Sequence, residues 1–163
     1  MQTIQTSTKK VGKYVSTKHV DTVIRNYKKE RWIHNSERIG KEDSLSAWWS
    51  IEEMEDFIAQ AKQHGADGLK FYFGAYGEDY KEVPEYAGRQ TLVMVGTKET
   101  QTGSGLKDKD IYVQTENGTN ILAYNRSRLC PPDCSPHPGG VDINEDGLGL
   151  AIIDRGVKGI LVL

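Results

Sequence analysis

Three groups of residues have side chains suited to chemistry. The first is Cys130, Asp133, Cys134 and His137, set among Pro131, Pro132 and Pro136. Thiolate and imidazole are zinc ligands, and Cys-x3-Cys with a histidine three residues on offers three tetrahedral positions. Asp133, His34, His64 or water would complete the set. Structural zinc sites more often use Cys-x2-Cys, and the chain has only these two cysteines. The same residues also read as two reduced thiols in a stiff turn. A redox pair is the third reading, and it needs a positive charge such as Arg126 or Arg128 to favour thiolate. The second group is Asp142, Asn144 and Asp146 followed by Gly147. Oxygen ligands at alternate positions before a glycine match the first half of a calcium loop. Ile153 stands where the closing acid belongs and Asp154 comes one residue late, so an EF-hand is not expected. A looser calcium or magnesium loop and a simple Asx turn both use these residues.

The third group is the segment 72–89. It holds Tyr72, Tyr76, Tyr80 and Tyr86, four of the eight tyrosines, and ends on Arg89. Glu78, Asp79, Glu82 and Glu85 are interleaved with them. Tyrosine combines a large apolar ring with a hydroxyl, which suits a contact surface. The acids point away from phosphate-rich partners. The alternative is a loop folded back over the core. No Gly-x-Ser-x-Gly elbow or His-Glu-x-x-His motif occurs, so no catalytic residue is assigned. Gly103 and Gly105 do not complete a phosphate-binding loop.

The elements that position these groups follow from length and patterning. The chain has 163 residues, 37% hydrophobic and 27% charged, with net charge −2. This suits one domain over 1–163 that buries roughly 70% of its unfolded surface and needs no disulfide scaffold. No apolar run is long enough for a membrane span. The near-neutral charge argues against a nucleic-acid partner. The first residues lack the apolar core of a signal peptide, so a cytoplasmic location is expected. Asn117-Gly118-Thr119 and Asn125-Arg126-Ser127 then match the glycosylation pattern by chance. Residues 1–15 read as a polar lead-in, flexible or forming a short edge strand through Val11, Tyr14 and Val15.

Val20, Val23, Ile24 and Tyr27 share one face of a helix expected over 17–32, with residues 28–31 mostly facing water. Residues 33–46 look polar and irregular, broken at Gly40. Ser50 and Glu53 form a capping box, and Trp49 and Met54 a hydrophobic staple, at the start of a second helix. Its expected buried stripe is Ile51, Met54, Phe57, Ile58 and Ala61. Period-two alternation over 69–73 predicts a strand, and the β-prone run 91–97 a central one. Residues 101–110 read as a polar loop. Asn117-Gly118 marks a hairpin between 111–114 and 120–124. The apolar end, 159–163, is expected to tuck into the sheet or to offer an edge to another subunit. The predicted class is α+β, with N-terminal helices packed on a mostly antiparallel sheet.

Several stretches carry a resemblance when read in order. They are Ala47 to Glu53, Gly65 to Tyr76, Gly88 to Val93 and Leu129 to Cys134. Together they resemble a group of small hypothetical proteins from Bacteroidota with no established activity, over roughly residues 20–135. The resemblance implies a bacterial cytoplasmic protein and carries over no functional residue. The expected function is a non-enzymatic interaction or structural protein. It would bind a protein partner or itself through the tyrosine loop or the apolar C-terminal edge, without a cofactor. The alternative is a metal-dependent protein such as a hydrolase, using zinc at Cys130, Cys134 and His137 or calcium at 142–146.

Overall fold

The computed structural model describes residues 10–134, together with the backbone of Ile152–Asp154 and Ile160–Val162. Residues 10–16 form no helix or strand, and Val11 and Tyr14 are exposed. Helix α1 spans Thr17–Tyr27, capped by the Ser16 side chain, which accepts from the His19 N–H. It does not end at residue 32. It passes through one wide turn at Lys28–Trp32 into α2, Ile33–Ile39, and stops at Gly40, whose φ of 70° closes the C-terminus. The expectation of irregular structure after Trp32 is therefore corrected. Lys28 was expected in water and is buried, its ammonium 5.0 Å from the Trp32 ring centroid.

The polar residues of α2 are held by Asp43, which is only 2% exposed. Its backbone N–H donates to Ser36 Oγ at 2.9 Å, and Asn35 Nδ2 donates to its Oδ2 at 3.2 Å. Trp32 Nε1 donates to its carbonyl at 2.7 Å. Its Oδ1 accepts from the backbone N–H groups of Ser44 at 2.8 Å and Gln90 at 2.6 Å. Gln90 also accepts from the Tyr27 hydroxyl at 2.7 Å. One carboxylate thus ties the N-terminal helices to the start of a sheet strand.

Strand β1, Ser46–Trp48, leads into α3, Ile51–Gln63. The capping box forms as expected: Glu53 N–H donates to Ser50 Oγ, and Ser50 N–H to the Glu53 carboxylate. Phe57 and Ala61 are buried, and Trp49 and Met54 pack against the same cluster. Ile51, expected in the stripe, is exposed. Strand β2, Gly68–Ala75, pairs antiparallel with β3, Gln90–Thr102, along its whole length. β3 is the central strand. On its other side it pairs with β4, Gly105–Asp110, and with β7, Ala123–Tyr124. The polar segment 101–110 is therefore a hairpin rather than a loop. Its side chains face water on both sides, so no apolar alternation marked it.

β5, Tyr112–Thr115, and β6, Gly118–Ile121, form the expected second hairpin. Its turn lies at Glu116 and Asn117, and Gly118 carries the positive φ of 110°. β8, Arg128–Cys130, returns to pair with β1. β9, Ile152–Asp154, and β10, Ile160–Val162, pair with each other, and the backbone of β10 runs beside α1. Among the described residues these two strands form their own ribbon, and neither pairs with the main sheet. The whole is an α+β fold with a mostly antiparallel sheet. Its core is Phe57, Ala61, Met94 and Leu122, where α3 meets β3.

Removing the Asp43 carboxylate strips the Ser44 and Gln90 N–H groups and the Asn35 amide of their acceptor. Asp43→Ala is expected to lower stability by about 3–5 kcal/mol. Urea unfolding followed by tryptophan fluorescence reads the loss, and a cost under about 1 kcal/mol would show that the helices dock without it.

Candidate functional site: a tyrosine-walled cleft

The segment after β2 closes on itself. Tyr76 N–H donates to the Arg89 carbonyl at 3.0 Å, and Gly88 N–H to the Gly77 carbonyl at 3.2 Å. A single turn at Pro84–Tyr86 lies between. Joined ends and internal packing make this a compact loop of the Ω type. It brings three tyrosines together. The Tyr76 and Tyr80 rings stack with centroids 4.2 Å apart, and Tyr86 lies 6.1 Å from Tyr76.

Each ring is anchored. Tyr76 donates to Asn125 Oδ1 at 2.8 Å, and Asn125 Nδ2 donates in turn to the Leu92 carbonyl at 2.7 Å on β3. Tyr86 accepts from the Leu129 N–H at 3.1 Å. Tyr80 donates to Glu82 at 3.3 Å, and burial, then Tyr76 and Glu82, hold its phenol pKa above the ordinary value. Asn125 belongs to one of the glycosylation-like triplets, and its amide is engaged inside the fold.

The rings wall a cleft of roughly 250 Å³ whose other side is the segment 126–133, with Arg126, Ser127 and Asp133 among its lining. Arg126 adopts φ 67°, the left-handed region, and its guanidinium pairs with Glu82. Arg128 places its guanidinium 4.0 Å over the Trp48 ring. Ser127 is 2% exposed, and its Oγ has no hydrogen-bond partner among the described residues. Sequence reasoning missed Ser127 and Arg126. They lie some forty residues beyond the tyrosines, and only the pairing of β8 with β1 and the Asn125 bridge bring them near.

Tyr72 and Arg89 stand apart from this cleft. Tyr72 sits on β2 and donates to Asp110 Oδ2 at 2.7 Å, while Lys70 Nζ donates to Asp110 Oδ1 at 2.9 Å. Lys70 and then Tyr72 hold the Asp110 carboxyl below the usual carboxylate range. Arg89 is buried beside Asp43 and Glu42, and its Nε donates to the Glu85 carbonyl at 2.7 Å. Burial lowers its pKa against the pull of those two carboxylates. It serves the helix–sheet joint rather than a contact surface.

Cys130 and Cys134 are joined in a disulfide, with Cα atoms 4.7 Å apart. The proline turn brings the two residues within bonding reach, which corrects the expectation of two reduced thiols. A bonded pair has no thiolate for zinc. His137, Asp142, Asn144 and Asp146 lie outside the described residues. Among the described residues no three His, Cys, Asp or Glu side chains gather as a metal site, and no helix is long and apolar enough to cross a membrane. A second cleft, of roughly 300 Å³, lies between α1 and the sheet and is lined by Ile24, Leu45, Ala47, Leu92 and Leu129. The α1 stripe signalled one wall of it. No known family, curated protein or solved structure matches the chain.

The Asp110 shift sets a sign for acid stability. A carboxyl whose folded pKa is depressed contributes stability above its unfolded value, about 3.9, and loses it as pH falls through the folded value. Asp110→Asn lacks this contribution, so its stability is expected to fall less steeply below about pH 4. Urea midpoints across that range check it, and parallel acid limbs for the two proteins would refute it.

Proposed function

We propose that the chain is a non-enzymatic binding module that takes a segment of a protein partner into the tyrosine-walled cleft. The observation that carries this is the Ser127 hydroxyl, buried without a partner among the described residues in the lining of an open aromatic cleft. An unsatisfied buried hydroxyl costs about 1–3 kcal/mol, which a ligand group reaching it would offset. The stacked Tyr76 and Tyr80 rings supply preorganised apolar area, since their loop is already closed and anchored. The Glu82–Arg126 pair and Asp133 give the rim charges of both signs, suited to orienting a polar peptide backbone and its side chains.

Peptides selected from a displayed random library on the wild-type protein provide the probe. Tyr80→Ala is expected to weaken the selected peptides about tenfold or more. Ser127→Ala is expected to weaken binding while leaving the free protein as stable or more stable, because it removes a group with no partner. Tyr112→Ala, on the distant β5 hairpin, should leave affinity unchanged. Selected peptides that bind Tyr80→Ala and Ser127→Ala as tightly as wild type would overturn the proposal, as would failure to select any.

The setting in which the module works is also open to measurement. Disulfides persist in oxidising compartments and are reduced in the cytosol. Intact mass after thiol blocking in the native cells is expected to show Cys130 and Cys134 unmodified by the blocking reagent. Two blocked thiols would instead support the cytoplasmic expectation.

A further inference from the structure

β2 is an edge strand with features that natural edges usually avoid. It is hydrogen-bonded to β3 along its length, and among the described residues nothing pairs with its other side. It runs eight residues without proline or bulge, and Phe71, Tyr72 and Phe73 are 45%, 44% and 83% exposed. A long, exposed, apolar edge is a template for another strand. Lys70 is its one charge, and a lysine on an edge normally repels such pairing. Here the ammonium is drawn inward across the sheet, donating to the Asp108 carbonyl at 2.6 Å and to Asp110 Oδ1 at 2.9 Å. The guard is thereby neutralised and turned away from the open side.

The strand is also complementary to itself. Leu69, Phe71 and Phe73 share one face, and Lys70 and Tyr72 the other. In an antiparallel pair centred on Phe71, Phe71 meets its own counterpart, Leu69 meets Phe73, and Lys70 meets Tyr72. Every apolar residue then faces an apolar residue, and Lys70, already neutralised by Asp110, sets no free charge against the Tyr72 of the other copy. The exposed Phe73 also finds a receptor. Beside Leu69, between α3 and the edge, lies a groove of roughly 220 Å³ lined by Ile58, Ala61, Ala66 and Leu69. In this register the Phe73 of each copy lies opposite Leu69 and next to that groove. A two-fold axis repeats the contact.

We infer that two copies of this chain associate edge to edge through β2, antiparallel about a two-fold axis at Phe71, with Phe73 of each seated by Leu69 and Ile58 of the other. This surface is separate from the tyrosine-walled cleft, so the two proposals stand or fall independently. Sedimentation velocity of the full chain over a wide concentration range tests it. Wild type is expected to be a dimer. Phe71→Lys and Phe71→Glu each place like charges opposite one another on the axis and are expected to raise the dimer dissociation constant about tenfold or more. Both substitutions lie at an exposed position, and circular dichroism confirms that each variant folds. Mixing the two is expected to restore a heterodimer, since lysine then faces glutamate. A wild-type monomer at all concentrations overturns the inference, whether another protein or residues 135–151 of the same chain occupy the edge. So does a dimer indifferent to either substitution, or a mixture of folded variants that stays monomeric.

Discussion

The buried Asp43 carboxylate is the constraint on which the rest of this structure depends. It sits in the short connection between α2 and β1, and it holds both sides. Asn35 donates to it from the helices and the Gln90 N–H from the first residue of β3, while Trp32 and Ser36 hold the Asp43 backbone carbonyl and N–H. A carboxylate taken out of water is costly unless its lone pairs are satisfied and a positive charge lies near. Backbone and side-chain donors supply the first, and buried Arg89 supplies the second. The next residues extend the same joint: Ser44 Oγ donates to the Pro131 carbonyl at 3.1 Å, and Leu45 N–H to the Cys130 carbonyl at 2.8 Å. Helices, central strand and disulfide turn therefore meet at residues 43–45.

That joint in turn shapes the cleft. With Gln90 fixed, the loop 76–89 leaves β2 and returns to β3 at a set point, and Tyr76 bonds back across the loop neck to Arg89. With Cys130 fixed, β8 lies against β1 and presents Ser127 and Arg126 to the tyrosines. The cleft has little freedom of its own, which is what a preorganised contact surface requires. The disulfide closes the far end of β8, so the wall opposite the rings is held from both directions.

Local signals in the chain suffice where one short-range interaction settles the outcome. The Ser50–Glu53 capping box and the β-branched run of β3 needed only neighbouring residues. They do not suffice where distant partners decide. The polar residues of α2 gave no amphipathic pattern, because their helix is held by hydrogen bonds to Asp43 rather than by an apolar face. The β3–β4 hairpin beyond Thr97 is solvated on both faces, so period-two alternation had nothing to mark. Ile51, assigned to a buried stripe by periodicity, is exposed because among the described residues no element covers that position.

The amino-acid sequence by itself determined the class of fold, the capped third helix, the central strand and the tyrosine-rich composition of the loop. These follow from propensity, capping and alternation, which act over a few residues. The tertiary structure alone decided which tyrosines work together, placing Tyr76, Tyr80 and Tyr86 in one wall and sending Tyr72 and Arg89 to other tasks. It alone set Ser127 beneath that wall, bonded Cys130 to Cys134, and left β2 at the edge. Each of those outcomes depends on strands and loops far apart in the chain meeting around Asp43 and β3, and residue spacing carries no record of such meetings.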